Sequence, residues 1–156
     1  MSWQTELEGY RHTTTVDLRF GDIDMLRHVN NARYLSFLEQ ARIQYAFDVL
    51  GWDGDWRTLN MILARTEIDF LRPLLLGERL QIATRCAQMG KKSFTFEYLL
   101  YTAGRQYPSA APQEAEHLVS RAKSVMVFYD TRKEETRPLP EDFIRRVNAY
   151  EPSLSE

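Results

Sequence analysis

The chain has a single cysteine, Cys86, in 156 residues. A lone cysteine closes no internal disulfide and has no neighbour with which to hold a metal, so nothing points to an oxidising compartment, and a reduced cytoplasm is the expected location. Long hydrophobic runs are lacking too: nowhere do about eighteen apolar residues follow one another. The opening MSWQTELEGYRH has no apolar stretch behind positive charge. No export signal or membrane span is therefore expected, and a membrane is not expected as a partner. Charge of one sign is absent as well. Twenty Lys and Arg against 22 Asp and Glu leave a net charge of −2 and a pI near 6.0. That balance supplies no field for gathering phosphate backbones, so nucleic acid is not expected as a partner. There is no internal repeat, low-complexity segment or domain linker. A chain of this length can bury roughly two thirds of its unfolded surface. One domain over 1–156 is expected, with its core at about 13–130 and a tail or short helix at 138–150.

What is present is organised around 20–50, FGDIDMLRHVNNARYLSFLEQARIQYAFDVL. From Asn31 onward Tyr34, Leu35, Phe37, Leu38, Ala41, Ile43, Tyr45, Ala46 and Val49 place apolar side chains on most of the circumference of a helix, which predicts a largely buried helix. Asn30 is its expected cap and Gly51 its stop. Ahead of it, 13–20 alternates with Val16, Leu18 and Phe20 on one face, the period of a half-buried strand. Residues 1–12 read as a frayed leader. Alternation resumes over 59–71, with Ile62, Ala64, Thr66, Ile68 and Phe70 on one face, until Arg72-Pro73 stops it. Two further strands, 79–88 and 93–102, flank a hairpin turn at Gly90-Lys91-Lys92. The longest irregular stretch is 104–116, and a last strand over 117–129 becomes continuously apolar at its end, which predicts an internal strand. The order of strand, helix and then four strands defines an α+β class: an antiparallel sheet of about five strands wrapped on one long central helix.

Asp22, Asp24, His28, Asn30 and Asn31 fall within ten residues that contain no glycine or proline. A connection that only turns the chain would carry those breakers, so the crowding reads as a site. The first amides of a helix have no partners within it and sit at the positive end of its dipole. That end stabilises a developing oxyanion, and a carboxylate one turn away can act as nucleophile or as general base on water. Acyl transfer needs no more. Bland roles remain open for the same residues: a turn aspartate for Asp24, a hydrogen-bonded structural histidine for His28 and a packed thiol for Cys86. Glu39 and Arg42, three residues apart, read as a structural ion pair, and Asp22 as structural.

The run Asp24-x-x-x-His28-Val29-Asn30-Asn31-Ala32-Arg33-Tyr34-Leu35, continued by Phe37-Leu38-Glu39-x-Ala41-Arg42, resembles the signature of hotdog-fold acyl-CoA thioesterases of the 4-hydroxybenzoyl-CoA thioesterase family. Glu67-Ile68-Asp69-Phe70-Leu71-Arg72-Pro73, with Gly77-Glu78 behind it, resembles that family's strand and turn after the helix. The likeness runs from Thr15 to about Tyr129. It implies a hotdog fold and hydrolysis of a fatty or aromatic acyl-CoA, or of an acyl carrier protein thioester, without metal or redox cofactor. Asp24 corresponds to the catalytic carboxylate, and the oxyanion donor falls at the Asn31 amide. His28, Asn30 and Tyr34 would bind or orient substrate, with Lys91 and Lys92 as candidate phosphate contacts. A homodimer or homotetramer is implied, with acyl groups held between subunits. Two rivals stand beside this reading: a non-catalytic acyl-CoA binding module, and an acyl thioester hydratase or dehydratase using His28.

Overall fold

The computed structural model describes residues 2–108, 115–151 and 154. Strand β1 (His12–Asp17) alternates buried and exposed side chains, as its sequence period requires. It ends one turn early. The side-chain amide of Gln106 bonds both the amide and the carbonyl of Leu18, so Leu18 is buried but withdrawn from the ladder. Phe20, expected to continue the inner face, instead opens a 3-10 turn (Phe20–Asp22) and is exposed.

Helix α2 (Arg33–Asp48) follows. Its stripe of Tyr34, Phe37, Leu38, Ala41, Tyr45 and Ala46 is buried against the inner face of the sheet. Leu35 and Phe47 stay exposed, so the apolar circumference predicted a wider burial than this chain alone provides. Four long strands follow: β2 (Met61–Phe70), β3 (Glu78–Met89), β4 (Ser93–Arg105) and β5 (Leu118–Asp130). They form an antiparallel sheet in the order β1-β3-β4-β5-β2, with the short β6 (Glu135–Thr136) on β5. The α+β class and the five main strands are as the sequence predicts. Helix α3 (Glu141–Tyr150) packs Phe143 and Val147 into the core. The expected irregular stretch at 104–116 is described except for 109–114, which lie outside the described residues.

Three details depart from the sequence reading. The leader is no frayed end: helix α1 (Trp3–Leu7) and Tyr10 pack on Ala83, Leu99, Tyr101 and Leu118 across the outer face of the sheet. In β2 the register shifts between Leu63 and Arg65, so Ala64 is a bulge. Met61 and Leu63 therefore stand with Thr66, Ile68 and Phe70 opposite the inward residues of β5, and the expected Ile62–Ala64–Phe70 face is broken. Glu39 and Arg42 form no ion pair. Glu39 is exposed, while Arg42 turns inward to the Ser124 hydroxyl.

The end of α3 is fixed by a buried carboxylate. Glu151, 1% exposed, accepts hydrogen bonds from the Tyr45 hydroxyl at 2.8 Å and the Cys86 amide at 3.0 Å. The Cys86 amide is free to donate there because the β3–β4 register shifts between Cys86 and Gln88. Burial, then the nearby Glu151 charge, pushes the Cys86 thiol up to about 12, which makes it the packed residue its sequence suggested.

Candidate active site

Between the 3-10 turn and α2 the chain makes a small hairpin. Ile23 bridges Val29, and the Asp24 amide donates to the His28 carbonyl at 2.9 Å. Its turn is closed by Asp24 itself, whose Oδ1 accepts from Leu26 N at 2.9 Å while its carbonyl accepts from Arg27 N at 3.0 Å. Arg27 adopts φ 65°, a left-handed conformation rare for a residue other than glycine, and the hairpin hydrogen bonds hold it there. Asp24 thus has the bland role of a turn aspartate. Only one of its oxygens is engaged: Oδ2 has no hydrogen bond among the described residues.

Asp22 has the structural role expected of it. It is buried, accepts from Arg19 N at 2.8 Å, and lies within ion-pair distance of Arg19 and Arg33. The hairpin is docked by Val29 N donating to Leu74 O and by the bridge between His28 and Leu75.

The head of α2 differs from the expected cap in one respect. The helix begins at Arg33 with Ala32 as its formal cap, and Ala32 has no side chain that could bond. Asn30 still does the capping, two residues upstream: its Oδ1 accepts from Ala32 N at 2.9 Å and its carbonyl from Arg33 N at 2.9 Å. Asn31 passes its carbonyl to Tyr34 N at 3.3 Å. Among the described residues nothing accepts from the Asn31 amide. A backbone donor at the positive end of a helix is thereby left open, at the position where the motif places an oxyanion donor.

Asn31 is one of the residues lining a cavity of about 220 Å³, with His28, Val29 and Tyr34 from its own segment and Phe70, Leu71, Arg72 and Pro73 from the end of β2. Burial, then the Glu78 charge, raises the Tyr34 phenol to about 12, so it stays neutral at ordinary pH. Of the residues nominated from sequence, His28, Asn31 and Tyr34 share this cavity. Asp24 and Asn30 shape its rim through the hairpin and the cap without lining it. The far wall, Phe70–Pro73, is not among the site residues the sequence nominates: the sequence marks Arg72-Pro73 as a strand stop and as part of the family's strand and turn, and only the fold sets that strand end beside the helix head.

Lys91 and Lys92 are elsewhere in the chain. Their carbonyls accept from Leu139 N and Phe128 N, and Phe128 pairs with Met61, the first residue of β2. The cavity abuts Phe70, the last residue of β2, about 30 Å away along ten strand residues. Among the described residues no group of three His, Cys, Asp or Glu side chains is placed to hold a metal.

This arrangement, an antiparallel sheet with a helix on its inner face and an open amide at the helix head, can be set beside known proteins. The profile of the thioesterase-like superfamily matches residues 18–147. The chain belongs to that superfamily. It is 33% identical over 90 residues to the long-chain acyl-CoA thioesterase FadM of Escherichia coli, an alignment covering 51% of this chain and 61% of that protein. It is 26% identical over 129 residues to the 1,4-dihydroxy-2-naphthoyl-CoA hydrolase of Synechococcus elongatus, covering 80% and 85% of the two chains. Among solved structures it resembles a thioesterase from Thermus thermophilus, complexed with coenzyme A and Zn, with a TM-score of 0.75 and 32% identity over 93% of this chain and 97% of that one.

Proposed function

We propose that this protein is an acyl-CoA thioesterase that hydrolyses its substrate to free acid and CoA. The observation that carries the reading is the Asn31 amide, unbonded among the described residues, on a residue that lines the cavity at the head of α2, one hairpin from a carboxylate with a free oxygen. In this reading the thioester carbonyl oxygen lies on the Asn31 N–H. Asp24 Oδ2 either attacks the carbonyl carbon or removes a proton from the water that does. As the tetrahedral intermediate collapses, the carbon–sulfur bond breaks and CoA leaves as its thiolate. On the general-base route Asp24 returns the proton to that thiolate; on the nucleophilic route water then hydrolyses the aspartyl anhydride. The Asn31 amide stabilises the negative charge on oxygen throughout, a contribution of about 10²–10³ in turnover for one such donor.

His28 and Tyr34 line the pocket and orient substrate. No carboxylate lies within ion-pair distance of His28 among the described residues, so the acid–base pair that a hydratase needs is not assembled there. The first curated relatives are longer than their match to this chain, 61% and 63% of their lengths being covered, and their activities inform this reading without defining it.

The reading also gives Lys91 and Lys92 a route to substrate. Strand β2 is an edge, with Ile62, Leu63 and Phe70 exposed along it. Antiparallel pairing of two β2 edges about a two-fold axis sets the Met61 end of one beside the Phe70 end of the other. Lys91 and Lys92 of one copy then approach the cavity of the second. The test is thiol release from acyl-CoAs ranging from acetyl to palmitoyl, with benzoyl and phenylacetyl, by wild type and Asp24→Asn. Binding of acyl-CoA without turnover of any of them would instead make this a binding module.

A further inference from the structure

Thioester hydrolysis makes two anions in turn. Charge develops first on the carbonyl oxygen and then on sulfur, as the carbon–sulfur bond breaks. The oxygen has the Asn31 amide; the sulfur needs a partner of its own. An alkyl thiol ionises only near about 8.5, so its thiolate is a basic leaving group, and a charge placed to meet it lowers the barrier to its departure.

The cavity lining holds one such charge. Apart from His28, Asn31 and Tyr34 on the helix-head side, every lining residue is apolar except Arg72. Its main chain is fixed. The Leu71 and Arg72 amides both donate to the Val119 carbonyl, at 2.9 and 3.1 Å, and Pro73 confines the residue before it to extended backbone. Its side chain is exposed and has no ion-pair partner among the described residues. The acids around it are engaged elsewhere. Asp69 stands across the strand pair from Arg121 and lines a different cavity, under α1 on the outer face. Glu78, whose charge is felt by Tyr34, accepts from Leu75 N at 2.8 Å. Asp22 is held by Arg19 and Arg33.

We infer that Arg72 receives the departing thiolate of CoA. A cavity of about 220 Å³ has room for the thioester and few atoms besides. A thioester whose oxygen lies on the Asn31 N–H therefore keeps its sulfur within the span of an arginine side chain anchored in the same lining. When the tetrahedral intermediate collapses, the carbon–sulfur electron pair passes to sulfur and the carbonyl double bond re-forms. Guanidinium N–H groups then hydrogen-bond the sulfur anion. Arg72 stays protonated throughout; the proton that makes the thiol comes from Asp24 on the general-base route and from solvent on the nucleophilic one. A guanidinium suits the task because it is always charged, weakly hydrated and offers several donors in one plane. This role rests on the thioesterase reading and gives its second charge a partner.

The test varies the leaving group. One acyl group is offered on CoA, N-acetylcysteamine, trifluoroethanethiol and nitrothiophenol to wild type, Arg72→Gln and Arg72→Lys, with oligomeric state and urea unfolding measured alongside. Arg72→Gln should lower kcat on the acyl-CoA at least about tenfold with little change in KM. Its deficit should shrink as the thiol becomes more acidic, to within about twofold on the nitrothiophenol ester, whose thiolate needs no help. Arg72→Lys keeps a cation and should recover most of the loss. Unfolding should not change, since the side chain is exposed. An equal deficit on all four thioesters, or a raised KM alone, would reduce Arg72 to a binding contact and overturn the inference. So would wild-type turnover by Arg72→Gln, or a loss that accompanies conversion of a dimer to a monomer, which would make a carboxylate of a second copy its partner. A wild type that turns over none of the thioesters would fell the thioesterase reading and this role with it, whereas turnover indifferent to Arg72 would fell this role alone.

Discussion

Replacing Asn31 by proline separates catalysis from folding. In the free protein the Asn31 amide donates to no described residue, so proline removes no native hydrogen bond. Asn31 stands just ahead of the formal cap Ala32, where its N–H is unsatisfied and proline forfeits no helical bond. Stability should change by no more than about 0.5 kcal/mol. If that amide holds the carbonyl oxygen, its loss removes one oxyanion donor, about 2.7–4 kcal/mol of transition-state stabilisation, and turnover should fall about 10²–10³-fold. Asn31→Ala keeps the amide and removes only an exposed side chain, so it should turn over substrate almost as wild type does. The assay is thiol release under saturating acyl-CoA for all three proteins, alongside urea unfolding. Two results would refute the reasoning: a folded Asn31→Pro protein with wild-type turnover, or an Asn31→Ala protein as impaired as the proline variant.

Further expectations follow from named contacts. Asp24→Asn keeps an oxygen for Leu26 N, so it should unfold like wild type while losing most thioester turnover; a variant that loses stability and keeps its turnover would leave Asp24 with the turn role alone. Glu151→Ala orphans the buried Tyr45 hydroxyl and Cys86 amide, a loss of roughly 2–5 kcal/mol in urea unfolding, whereas Glu151→Gln keeps an acceptor and should cost markedly less. The Cys86 thiol, raised to about 12 by burial, should resist a disulfide reagent at neutral pH until the protein unfolds, and rapid modification of the native protein would show the site open. Hydrogen bonds from His12 and then Gln44 hold the Asp48 carboxyl below its ordinary value of 3.8. Its contribution to stability is therefore present above that value and lost as pH falls below it. Asp48→Asn should flatten the acid limb of stability against pH, and an unchanged limb would count against the His12 contact.

The strands, the helix and the site motif were legible because each is written locally. A period of two along 12–17 and 118–130, or of 3.6 along 33–48, depends on near neighbours in sequence. So does the crowding of Asp24, His28, Asn30 and Asn31 before the helix. What could not be read locally depended on groups distant in sequence. Phe20 left the strand face because Gln106, 88 residues beyond Leu18, takes over the Leu18 main chain. The first residues became a helix because Trp3, Leu7 and Tyr10 found an apolar strip on the outer sheet. Five residues would not hold a helix in water without it. The Glu39–Arg42 spacing suits an ion pair on an isolated helix, yet the fold draws Arg42 inward to Ser124 and leaves Glu39 in solvent.

The site itself divides the same way. Sequence alone determined which groups stand at the head of α2, since spacing along one chain segment sets them within a turn of each other. Tertiary structure decided which of them share a space. Docking of the hairpin on Leu74 and Leu75 brought Asn31 into one cavity lining with Phe70–Pro73, and the length of β2 put Lys91 and Lys92 at its other end. A periodic pattern reports which way a side chain points. It is silent on what arrives from elsewhere in the chain to face it, because that partner is selected by packing over the whole sheet.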